Sequence, residues 1–367
     1  MIMGNEVQLT STEIQSELEK IQAKIDELKD MEKKITEKSE ELINTIITDE
    51  NCLYVFTMKG IGDFLISGGL SYAVRQRKNK DYTVFIVQER MKNSGIYFPT
   101  VDKMISMPLA ILGALVKYFH DTRKYEGDNY IYGDIRKGAD DFIWDKDLNM
   151  INRLKKNAFK VPLDAPFISP VVMKISDEKI QALHEKYIID QERTVILCPY
   201  AKTFENMSTD FWETLVQRLK AKNYVVYTNI AKYQETVDKT PFIIEKPIKG
   251  TEIFSANFDE LNYLAGKIKC FVGLRSGIFD FLAMTDARII NVIPFPHWYW
   301  DISVMYPECH NCSFYSVANY KKGLDKAVEN FGVTIKNKFA HKYIPDEKIF
   351  YNDKDILNAL LNEIEKL

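Results

Sequence analysis

The 367-residue sequence has little cysteine or histidine, five residues of each, and no strong excess of either charge. The net charge of -3 argues against a nucleic-acid-binding protein, which would need a basic face. Three cysteines, Cys52, Cys198 and Cys270, fall in apolar strand-like runs, where a thiol behaves as a small hydrophobe. The odd number of cysteines and the lack of a secretory signal predict a protein of the reducing cytoplasm.

No second pair of metal ligands accompanies the one CxxC motif, "CHNC" at 309–312. Structural zinc normally needs four ligands, so we expect no metal there and interpret the motif as a loop. Apolar runs of membrane-spanning length are also lacking. The longest candidate, residues 104–119, contains Pro108 and Lys117 and is expected to form a buried strand, turn and helix. Membrane contact is therefore expected to be peripheral at most, at the inner face of the cell membrane.

Residues 10–48 lack glycine, proline and aromatic residues and are rich in glutamate and lysine. A 4-3-4-3 rhythm of apolar residues predicts one long helix with a narrow apolar seam. The seam residues are Ile14, Leu18, Ile21, Ile25 and Leu28. Because such a helix is marginal alone, the seam should pair with a second copy or pack on the body. We favour a homo-oligomer.

From residue 51 onward, strand-like and helix-like segments alternate, which predicts parallel strands with crossover helices. Strands are predicted at 52–58, 82–88, 103–107, 129–135, 194–200, 224–230, 270–274 and 288–295. A proline-rich connection at 161–175 divides the alternation into two halves. We predict a helical arm (1–48), two Rossmann-like α/β domains (49–170 and 171–345) and a final helix (346–367) that packs back on the domain junction.

The first predicted strand ends at a glycine turn, "KGIGDF", which contains Gly60, Gly62 and Asp63. Glycines at the carboxyl end of a parallel strand let a ligand approach closely. Asp63 has two interpretations: a first-turn residue favoured by the helix dipole, or a general base facing a hydroxyl. Its charge argues against phosphate binding at this turn. Asp134 ends another strand of this half and is a second candidate base.

The second half has cationic turns instead. Lys202 lies in the loop after the strand at 194–200, and Arg275, Ser276 and Gly277 follow the strand at 270–274. A cation, a hydroxyl and exposed N–H groups suit an anion such as a diphosphate. Asp280, one turn into the next helix, would orient Arg275 or bind a sugar hydroxyl. The alternative is an Arg–Asp pair that braces the turn.

An aromatic segment follows the last predicted strand, "IPFPHWYWDISVMYP". Trp298 and Trp300 are candidates to stack on sugar rings, with His297 beside them. Aromatic residues in such a position also form interdomain core.

Three stretches, "KGIGDFL", "CPYAKTFENMS" and "VGLRSGIFD", together resemble the heptosyltransferase family of GT-B glycosyltransferases. The resemblance covers roughly residues 52–295. It implies a GT-B fold, an N-terminal acceptor domain and a C-terminal nucleotide-sugar domain. Asp63 would deprotonate the acceptor hydroxyl, while Lys202 and the turn at Ser276 and Gly277 would hold the donor diphosphate.

The resemblance also implies an inverting hexosyl or heptosyl transfer in bacterial surface glycan synthesis, to a glycan or lipid-linked glycan. No cofactor is implied, and no metal site stands out. The sequence departs from the family pattern on the donor side. Arg275 stands where the family has aspartate, and Asp280 where it has histidine. The donor therefore need not be ADP-heptose.

Two alternatives remain open. Polysaccharide pyruvyltransferases also have two such halves and a late arginine turn, which "VGLRSG" resembles without the family's histidine. The second alternative is a non-catalytic scaffold that binds sugar nucleotides and assembles through its N-terminal helix.

Overall fold

The computed structural model describes residues 11–57, 60–92, 97–133, 150–171, 174–201, 207–230, 245–294, 311–317, 349–350 and 352–367. These residues form two parallel sheets, of four and seven strands, with helices against them. The predicted α/β class with two Rossmann-like units is therefore confirmed.

The first sheet has the strand order β3-β2-β1-β4. Its strands are β1 (Cys52–Phe56), β2 (Tyr82–Gln88), β3 (Lys103–Met107) and β4 (Tyr130–Tyr132). Helix α2 (Ile61–Arg77) connects β1 to β2, and α3 (Leu109–Thr122) connects β3 to β4. All five residues of β1 are buried, as expected for a parallel strand covered on both faces. The strand, turn and helix predicted around Pro108 are confirmed.

The second sheet has the order β7-β6-β5-β8-β9-β10-β11. Its strands are β5 (Thr194–Cys198), β6 (Val225–Asn229), β7 (Glu252–Phe254), β8 (Cys270–Leu274), β9 (Ile289–Pro294), β10 (Cys312–Val317) and β11 (Ile349–Phe350). Strand β5 lies between β6 and β8. The chain runs from β5 towards one edge of the sheet and then returns to build the other side from β8, so the sheet is doubly wound. Cys312 begins β10, so the loop interpretation of "CHNC" is wrong for this residue; Cys309 and His310 lie outside the described residues.

Among the described residues, six further helices, α4 to α9, lie between β4 and the end of the chain. A short helix, α4 (Met150–Arg153), continues into a π-helical segment at Leu154–Ala158 and leads to the proline-rich connection. The others are α5 (Asp177–Lys186), α6 (Thr209–Ala221), α7 (Phe258–Leu264), α8 (Gly277–Leu282) and α9 (Asp353–Lys366). Within the part of the chain described, no helix is long and apolar enough to cross a membrane.

The final helix, α9, packs within the C-terminal half through its described polar contacts. Glu365 pairs with Lys222, the residue after α6, at 2.7 Å. One turn earlier, Arg218 of α6 donates a hydrogen bond to the side chain of Asn358. Packing of this helix across the domain junction stays a prediction.

The N-terminal helix α1 spans Ser11–Ile46, close to the predicted 10–48. Its last two turns pack on α3, where Ser39 and Ile43 are buried and Glu40 pairs with Lys124 at 2.8 Å. The side chains of the predicted seam are outside the described part of the chain. The end of the arm is thus fixed to the N-terminal domain.

Glu126 ties the far end of α2 to the segment that follows α4. Its carboxylate accepts a hydrogen bond from Arg77 and forms ion pairs with Lys78 at 2.8 Å and Lys160 at 3.0 Å. Burial raises the pKa of Glu126, but the hydrogen bonds from the three cations outweigh burial and lower the pKa to about 2. The ionised carboxylate therefore stabilises the fold.

We predict that Glu126→Gln destabilises the protein at neutral pH by on the order of 1–3 kcal/mol. The folded-state pKa lies below the ordinary value of 4.5, so the contribution is complete above that value and is lost as the pH falls towards about 2. Urea denaturation of wild type and variant should therefore differ most at neutral pH and converge in acid. Glu40→Gln, at an exposed ion pair, is the control. A pH-independent difference would contradict the assignment.

Candidate functional site

The turn at Gly60–Asp63 follows the carboxyl end of β1 and includes the first turn of α2. Gly60 is the residue before the helix, and its backbone N–H donates to the Asp63 carboxylate at 2.9 Å. This bond is half of a capping box, as the first-turn interpretation of Asp63 predicts. A carboxylate has about four acceptor positions, so capping and contact with a substrate are compatible. Asp63 is half-buried.

The first turn of α2 meets the first turn of α8, across the two domains, with a glycine on each side of the contact. A Cβ atom built on Gly277 would lie 1.8 Å from Cγ2 of Ile61 and 3.0 Å from the backbone nitrogen of Gly62. A Cβ atom on Gly62 would lie 2.3 Å from Oδ2 of Asp280. Both glycines therefore allow the two helices to approach closely. The prediction that they also admit a ligand stays a prediction.

Arg275 and Asp280 form a buried ion pair at this contact. Nη2 of Arg275 donates to Oδ1 of Asp280 at 2.8 Å, with the two side chains 8% and 2% exposed. The geometry matches the bracing interpretation of the pair. Ser276, the residue before α8, and Gly277 are half-buried beside it.

A second interdomain contact is aromatic. Tyr97, from the segment between β2 and β3, packs edge-on against Phe258 of α7 with 5.3 Å between ring centroids. Phe258 in turn stacks on Phe281 of α8 at 4.2 Å. Sequence reasoning missed these residues, because Tyr97 and Phe258, which are 161 positions apart, form no local sequence pattern.

Both turns lie at topological switch points. In the first sheet β1 lies between β2 and β4, and in the second β5 lies between β6 and β8. Ligands of open α/β sheets bind outside the carboxyl ends of the strands at such points. Asp63 follows β1, and Arg275 and Ser276 follow β8, so the structure brings the two predicted turns together.

The other predicted site residues lie outside the described residues: Lys202, Asp134, His297, Trp298 and Trp300. Among the side chains that are described, no group of three or more histidine, cysteine, aspartate or glutamate residues is arranged to hold a metal ion.

No model of a known protein family matches the chain, and no curated protein sequence is significantly similar to it. Solved structures do share its fold. ADP-heptose lipopolysaccharide heptosyltransferase II of E. coli superimposes with a TM-score of 0.51 at 12% identity, over 86% of this chain and 98% of the enzyme. A family 9 glycosyltransferase of Veillonella parvula DSM 2008 gives 0.52 at 9% identity, over 87% and 99%. The resemblance inferred from the three motifs is confirmed at the level of the GT-B fold.

Proposed function

We propose that the protein is a glycosyltransferase that moves a sugar from a nucleotide-diphosphate sugar to an acceptor hydroxyl. The observation that carries the proposal is the meeting of two turns from different domains, each at the switch point of its sheet. One turn presents a carboxylate, Asp63. The other presents Ser276 and the first-turn backbone N–H groups of α8 beside the buried pair of Arg275 and Asp280. A base opposite an anion site is what transfer from a diphosphate leaving group requires.

The shared fold supports the same proposal. One structure with this fold is named as an ADP-heptose lipopolysaccharide heptosyltransferase and another as a family 9 glycosyltransferase. We infer a hexosyl- or heptosyltransferase type of reaction by inverting displacement, without a metal, in bacterial surface glycan synthesis. The acceptor would be a glycan or a lipid-linked glycan at the cytoplasmic face of the membrane.

Asp63 takes the proton of the acceptor hydroxyl in this mechanism. Its hydrogen bond from the Gly60 N–H holds the carboxylate in one position. A carboxylate held in position is a better base than a mobile one, because less orientational entropy is lost when the reaction occurs. In the C-terminal domain, Lys202 and the turn at Ser276 and Gly277 would bind the diphosphate and offset the charge that builds on it.

We predict that Asp63→Asn lowers the sugar transfer rate about 100- to 10,000-fold, because asparagine cannot accept the proton. Nucleoside diphosphate affinity and melting temperature should stay close to wild type, since asparagine can still accept the bond from Gly60. Transfer is measured as release of nucleoside diphosphate under single-turnover conditions, and affinity by calorimetry on the same preparation.

The matched control is Asp210→Asn, which changes an exposed first-turn aspartate of α6. It should leave transfer unchanged. Near-normal transfer by Asp63→Asn would show that Asp63 only caps α2, and the candidate bases would then be Asp134 and His297.

The arm is proposed to join copies of the chain through its apolar seam. Deleting residues 1–34 should lower the mass measured by light scattering while transfer and melting temperature stay unchanged, because the packed turns around Ser39 and Ile43 are kept. Deleting residues 1–48 should also lower the melting temperature, since burying an isoleucine contributes roughly 1.5–3 kcal/mol. An unchanged mass for both truncations would contradict self-assembly through the arm.

A further inference from the structure

The two oxygens of the Asp280 carboxylate face the two sides of the domain contact. Its Oδ1 accepts a hydrogen bond from Arg275 at 2.8 Å. Its Oδ2 faces α2, at the position that a side chain on Gly62 would occupy. Any residue other than glycine at 62 would therefore displace Asp280, the first turn of α2, or both.

Charge complementarity accounts for this placement. The first turn of a helix has backbone N–H groups without intrahelical partners and partial positive charge. Asp280 brings its carboxylate to that turn of α2 from the other domain, while Asp63 lies on the same turn, against Gly60. A carboxylate that is 2% exposed needs a cation nearby, and Arg275 supplies it.

We propose that Arg275 and Asp280 are positioning residues. Together they hold the first turn of α2 against α8, and so place the Asp63 carboxylate opposite the donor turn at Ser276 and Gly277. The inference rests on the proposed role of Asp63 as the base. It differs from donor binding by Arg275, because a pair buried within the domain contact acts on catalysis through α2 and not through the diphosphate.

The two roles predict different kinetics. Weakening a positioning pair misplaces the base, and an error of about 1 Å in a reacting group can cost about 100-fold in rate. Asp280→Asn removes the charge but keeps the shape, so we expect kcat to fall about 10- to 100-fold. The dissociation constant of the nucleoside diphosphate should stay within about twofold of wild type, since the pair does not contact it.

Hydrogen exchange gives a readout that needs no substrate. The backbone amides of the first turn of α2 should exchange about tenfold or more faster in Asp280→Asn, because the contact that protects them is weakened. Gly62→Ala tests the same contact from the other side with both charges kept, in case Asp280→Asn folds poorly. It should give the same pattern of faster exchange, lower kcat and unchanged nucleotide affinity.

Asp190→Asn is the matched control, because Asp190 also pairs locally with an arginine at 2.8 Å but on the surface, away from α2. It should leave exchange and kcat unchanged. Unchanged exchange in both test variants would overturn the inference, whatever the activity. So would faster exchange with normal kcat, or nucleotide affinity that falls as much as kcat. A wild-type protein that neither binds nucleotide nor transfers sugar would contradict the proposed function. The hydrogen-exchange measurement would still test the contact between α2 and α8.

Discussion

The structure depends on the close approach of two helix N-termini from different domains. At Gly62 and Gly277 the backbones of α2 and α8 come so near that a methyl group on either glycine would overlap atoms of the opposite helix. Each helix starts at the carboxyl end of a central strand, β1 or β8, so this one contact fixes how the two sheets face each other. The aromatic contact from Tyr97 through Phe258 ends at Phe281, on the same short helix α8, and supports the same arrangement.

The two domains contribute different charged groups to the contact. The N-terminal domain contributes a carboxylate, Asp63, and the C-terminal domain a cation, Arg275, that is already paired with Asp280. The two residues that depart from the family pattern, Arg275 and Asp280, are thus partners in one ion pair. A change at either position alone would leave a buried charge without its partner, which is strongly destabilising. The two differences from the family pattern are therefore expected to occur together.

Most of the fold was predictable because β1, β2, β5 and β8 are short apolar runs bounded by turn residues, a pattern consistent with buried parallel strands. Three strands were missed. β7 and β11 have three and two residues, too few to show a repeating pattern. β10, with the sequence CSFYSV, has no regular alternation of apolar and polar residues. The positions of Gly62 and Gly277 at strand ends were predicted, but the close contact between α2 and α8 at these glycines was not. No local pattern indicates that Asp280, 218 residues along the chain, fills the space beside Gly62.

The central claim is that the paired turns form a nucleotide-sugar site, and ligand-induced stabilisation of the intact protein tests it most directly. The melting temperature is measured with ADP, GDP, UDP, CDP, CMP or phosphoenolpyruvate. We expect one nucleoside diphosphate to raise it by several degrees, since a ligand at 100 times its Kd stabilises by about 2.7 kcal/mol. Stabilisation by phosphoenolpyruvate alone, or by none of the six ligands, would contradict the claim.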